Sequence, residues 1–89
     1  MAKTVEDRLT DMQEIFAEMD HTHVADAEIF VLSDVFIASA RRQAERMIDQ
    51  GEDLLVQEER SSGVNYLQCA GSKPSVNKMR AFVARLTAH

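Results

Sequence analysis

Three groups of residues in this 89-residue chain have types and spacings that could do chemistry. The first is His21-Thr22-His23. Two histidines two apart can share a metal only on a strand or suitable loop, and no Cys or carboxylate cluster completes a ligand set at a known spacing. They are therefore expected to be polar turn residues. No metal and no cofactor are expected. The second is Cys69, the only cysteine. A nucleophilic thiol needs a neighbouring base and an oxyanion site. The sequence offers neither, so Cys69 reads as a small apolar residue. There is no Ser/His/Asp set and no phosphate-binding glycine loop. No catalytic residue is expected, and the chain reads as a non-enzyme.

The third group is cationic. Arg41, Arg42 and Arg46 lie close together, with Glu45 and Asp49 positioned for intrahelical pairs. Lys73, Lys78, Arg80 and Arg85 surround or follow the only proline, and no acid appears from Ser72 onward. The net charge is nevertheless −5, and strong DNA binders are usually basic overall. These seven cations are the candidate DNA contacts. The alternative is that they balance acids of the same chain or a neighbour. With no aromatic interleaved on their wet face, they suit weak, salt-dependent phosphate contact better than base reading.

The elements that must position these groups read as helices. Low Gly and Pro, with frequent Ala, Met, Leu, Glu, Arg and Gln, favour helix. A first helix is expected from about Thr4 to Met19, with a narrow stripe of Val5, Leu9, Met12, Phe16 and Met19. A long second helix is expected from about Val24 to Gln50, stopped by Gly51. Its middle, Ile29 to Ile37, is apolar on two sides, which implies burial on two sides. Ile29, Leu32, Phe36 and Ala40 form one stripe and Phe30, Ile37, Ala44 and Ile48 another. With only two other helices available, one of these sides is expected to meet another subunit, so Phe30, Phe36, Ile37, Ala40, Ala44 and Ile48 are the candidate interface residues. Residues 52–71 lack helical period. Leu54-Leu55-Val56 and Val64-Asn65-Tyr66-Leu67 suggest either a small β-hairpin or an ordered loop. A last helix opens at Pro74 and runs to about Thr87, burying Val76, Met79, Val83 and Leu86. The expected architecture is a single all-α domain over residues 1–89.

The lone cysteine and the charged, signal-free N-terminal stretch lead to the expectation of a reducing compartment, the cytoplasm. No segment is apolar enough over sufficient length to span a bilayer.

The layout resembles one family. "ADAEIFVLSDVFIASARRQAERMIDQG" gives a long helix that starts near an aspartate, passes through an Ala/Arg-rich middle and stops at glycine. "EDLLVQEERSSGVNYLQCAGSKPSVNKMRAFVARL" adds an extended segment, a glycine and a proline opening a last amphipathic helix. This is similar to the core of phage terminase small subunits of the long-tailed, cohesive-end type. The resemblance implies a non-enzymatic ring protein that recognises phage DNA and hands it to a large subunit. The chain is shorter and more acidic than that family. It is thus also similar to satellite-encoded proteins that bind a small terminase subunit and redirect packaging. The alternative expectation is a DNA-free dimeric helical module that sequesters a protein partner. For the packaging reading, set in a bacterial host cell, the expected partners are further copies of the chain, a phage small terminase subunit or both, with double-stranded phage DNA. For the DNA-free module they are a second copy and a protein partner. No membrane and no small-molecule substrate are expected.

Overall fold

The computed structural model describes residues 26–88, together with Asp7, Thr10 and Glu14. Those three isolated positions are helical and exposed. The rest of the expected first helix, the His21-Thr22-His23 turn and His89 lie outside the described residues.

The order is β1 (Asp26–Leu32), α1 (Asp34–Asp49), β2 (Leu55–Ser61), β3 (Val64–Gly71) and α2 (Lys73–Thr87). The three strands form one sheet in the order β1-β3-β2. Both β1 and β2 run antiparallel to β3, so they are parallel to each other with β3 inserted between them. This is a split β-α-β unit, closed by a hairpin and followed by a helix.

The fold is therefore α+β, not all-α. The long second helix is two elements. Residues 26–32 are a strand and the helix starts at Asp34. The physical reason lies in the two-sided apolar run. In an extended chain successive side chains point to opposite faces, so a strand buried on both sides reads as a continuous apolar run. Phe30 and Leu32 join the core beneath the helices. Ile29 and Val31 lie on the second face. β-branched and aromatic residues also suit a pleated surface. Ser33 is the joint, with extended backbone (φ −71°, ψ 164°) before the first helical turn.

α1 keeps the expected C-terminal stop. Gly51 sits at φ 93°, and the N–H groups of Gly51 and Glu52 return to the carbonyls of Ile48 and Met47. The 52–71 segment resolves to the hairpin. Ser62 and Gly63 both take positive φ, as a two-residue type I′ turn requires, and Ser61 pairs with Val64. α2 begins with Pro74 in its first turn and buries Val76, Met79 and Val83, with Ser75.

Both helices lie over β1 and β3, on one face of the sheet. The core there holds Leu32, Ile37, Ala40, Ala44, Met47, Leu54, Leu67, Cys69, Met79 and Val83. On the other face, Tyr66, Gln68 and Ala70 of β3 are also fully buried. The Tyr66 hydroxyl and the Gln68 amide find no hydrogen-bond partner there.

At the end of β3 the backbone of Gly71 comes so close to Asp53 that a Cβ would lie 2.3 Å from the Asp53 carbonyl oxygen. Only glycine permits that approach.

Candidate interaction surfaces

The cations come first. Of the seven expected DNA contacts, three end on carboxylates of the same chain. Arg41 donates to Glu58 Oε2 at 2.6 Å and to Glu45 at 3.4 Å. Lys78 pairs with Glu52, and Arg80 with Glu28 on β1. The carboxylate hydrogen bonds raise the Arg41 and Arg80 guanidinium pKa values, first through Glu58 and Glu28 respectively. Arg46 donates to Gln43 at 2.6 Å and Arg42 to Ser39 at 3.2 Å. Arg85 stands over the Phe82 ring at 5.7 Å. Lys73 is exposed at the start of α2. Exposed pairs of this kind are screened by solvent and contribute little to stability. They matter more for the field, because the positive last segment is answered by Glu28 and Glu52.

A polar junction anchors the N-terminus of α2. Asp53 accepts the Ser72 backbone N–H at 3.0 Å and the Ser72 and Ser75 hydroxyls at 2.7 Å each. The Ser75 Oγ is also 2.7 Å from Glu52 Oε2, so its single proton is shared between the two carboxylates. These two carboxylates meet the unsatisfied N–H end of the helix, where negative charge is favoured. The Glu52 pKa is lowered, first by Lys78 and then by Ser75. That of Asp53 is lowered by Ser75 and then Ser72. The sequence showed the proline start of this helix. It did not show that its cap arrives from residues about twenty positions earlier.

Cys69 is fully buried on β3. Burial pushes its pKa up to about 12, with a smaller contribution from Glu28. A thiol so held is not a thiolate and not a nucleophile. Among the described residues no cluster of His, Cys, Asp and Glu has the geometry of a metal site.

A groove of about 500 Å³ runs between α1 and β2, where neither helix packs closely on the sheet. Its polar lining is already paired. Asp34 accepts from Asn65 at 2.6 Å and from Arg60 at 3.2 Å, and Arg41 bridges to Glu58.

The expected subunit contacts divide differently. Ile37, Ala40 and Ala44 are buried in the core of their own chain. Phe30 and Phe36 pack partly buried against that core. Only Ile48 stays open, at 44% exposure. The apolar surface that remains lies instead around β1. Val31 is 55% exposed and Val35, just past the β1–α1 joint, is 71% exposed. One side of β1 pairs with β3, and no other described strand takes the opposite side. The β-branched Ile29 and Val31 flanking Phe30 were the sequence signal for this strand.

No known protein family, curated protein or solved structure matches the chain. Among the described residues no helix is long and apolar enough to cross a membrane.

Proposed function

We propose that this chain is a non-enzymatic protein-interaction module that takes its partner as an added strand along β1. One observation carries this: a seven-residue edge strand with no lysine, proline or bulge, whose two charges, Asp26 and Glu28, lie in its first three residues and leave Ile29–Leu32 apolar beside the exposed Val31. Natural sheets blunt such edges with charge, proline or irregularity, because unpaired N–H and C=O groups template another strand. A partner strand satisfies those groups and covers Val31.

Two further features favour binding over catalysis. Burial of Cys69 with a raised pKa speaks against thiol catalysis, and the pairing of three of the seven candidate DNA cations with carboxylates of their own chain speaks against phosphate contact. The packaging role rested on a helical layout that the sheet replaces, so its support falls away. What continues from that expectation is assembly. A reducing, cytoplasmic setting is proposed with it, on the strength of the single free thiol of Cys69.

The test compares wild type with Val31→Lys as bait for the same partner. Capture by wild type and loss with Val31→Lys supports the β1 edge. Equal capture by both contradicts it. A DNA titration at two salt concentrations checks the other class: no retention at low salt is expected, and binding that weakens steeply with salt would restore a phosphate-contact role.

A further inference from the structure

We infer that the partner at β1 is a second copy of this chain, joined β1 to β1 antiparallel across a two-fold axis at Ile29. The two three-stranded sheets then become one continuous six-stranded sheet. This rests on the interaction-module function proposed above and names its partner.

A two-fold dimer is self-complementary, so each residue of the strand meets its mirror position. A continuous sheet also requires residues of the same face to oppose one another, which leaves few registers. An axis at Ala27 sets Asp26 opposite Glu28 of the second copy. An axis at Glu28 sets Glu28 opposite Glu28. Both place like charges directly across the strands, which is destabilising. An axis at Phe30 drops Asp26 and Ala27 from the ladder.

The axis at Ile29 pairs all seven residues. On the second face it opposes Ala27 with Val31, Ile29 with Ile29, and Val31 with Ala27. Every one of these pairs is apolar, and the exposed Val31 is covered twice. On the helix face it opposes Glu28 with Phe30 and Asp26 with Leu32, so no carboxylate faces another. Glu28 is already neutralised by Arg80 of its own α2. The axis at Phe30 also avoids like charges but pairs only five residues, so the axis at Ile29 is the register in which the whole strand is complementary to itself.

Sedimentation equilibrium over a wide range of concentration tests this with three proteins. Wild type should show a monomer–dimer equilibrium. Val31→Lys breaks two apolar pairs at once and should weaken it at least about tenfold. The double variant Ala27→Glu/Val31→Lys places opposite charges at both of those pairs and should recover most of the loss, with the recovery fading in high salt. Ala27 and Val31 are both exposed in the single chain, so circular dichroism should show all three proteins folded. A wild type that stays monomeric throughout overturns the inference. So does a dimer indifferent to Val31→Lys, or one that the double variant fails to restore. A monomeric wild type that still captures a different protein through Val31 would overturn the second copy alone and leave the interaction module standing.

Discussion

The two edges of the sheet face each other across β3 and can be read residue against residue. Opposite Ala70 stand Ala27 on β1 and Leu55 on β2; opposite Gln68 stand Ile29 and Gln57; opposite Tyr66 stand Val31 and Glu59. On the helix face, Leu67 lies between Phe30 and Glu58, and Asn65 between Leu32 and Arg60. Both strands are seven residues long and pair with the same central strand. One edge is apolar through its C-terminal half, while the other carries Gln57-Glu58-Glu59-Arg60 in succession. The difference shows how a small sheet can hold one edge shut by charge and leave the other available. β2 carries charge along its C-terminal half, whereas β1 carries it only at Asp26 and Glu28 and leaves Ile29–Leu32 without such protection.

The largest expected effect strikes the end of β3, where both edges are anchored. Gly71 pairs with Asp26 of β1 and abuts Asp53 on the way into β2. Gly71→Ala forces a methyl group against the Asp53 carbonyl and should cost about 1–3 kcal/mol. Denaturant unfolding measures it, and an unchanged midpoint would mean that the close approach does not exist in solution.

The edges themselves come next. Val31→Lys should cost association about 1.4 kcal/mol or more, a tenfold change, while changing folding stability by no more than about 0.5 kcal/mol. Gln57→Lys, at the β2 position across β3 from Ile29, should leave association where it was. Equal weakening by both variants would erase the distinction between the edges.

Gln68 lies between Ile29 and Gln57 on the second face of the sheet. With no partner for its amide, Gln68→Leu should keep the fold and raise stability by up to about 2 kcal/mol. A loss instead would show that the amide is satisfied.

The smallest effect is the acid limb. The Glu52 and Asp53 carboxyls sit below their ordinary values of 4.5 and 3.8. A lowered folded pKa means that the unfolded chain binds protons more readily. The stabilisation is therefore complete above those ordinary values and is lost as pH falls through the depressed folded ones. Asp53→Asn should flatten the fall in melting temperature over that acidic range, and a melting curve series against pH checks it.

Much of this could be read before the structure. The last helix announced itself by Pro74 and the Val76, Met79, Val83 spacing. Gly51 marked the end of α1. Ser61-Ser62-Gly63 separated two strand-like runs that became a hairpin. β1 could not be read in the same way. Asp26–Leu32 joins α1 through a single serine, with no glycine or proline to break the pattern. Its apolar residues continue directly into Val35, Phe36 and Ile37, so strand and helix merged into one apparently two-sided helix. The surplus apolar face was real, but it belongs to a strand, and its partner side is an edge. The candidate site was missed for the same reason: Ile37, Ala40 and Ala44 looked available only while Ile29–Leu32 was counted on their helix. The Asp53 cap was hidden because tertiary structure, not spacing, brings it to Ser72.

Hydrogen exchange along the two edges, at low and high protein concentration, tests the central claim most directly. Amide protection within residues 26–32 should rise with concentration while residues 55–61 stay unchanged, and Val31→Lys should abolish the rise. Protection that is independent of concentration in both strands, or that rises equally in β1 and β2, would contradict it.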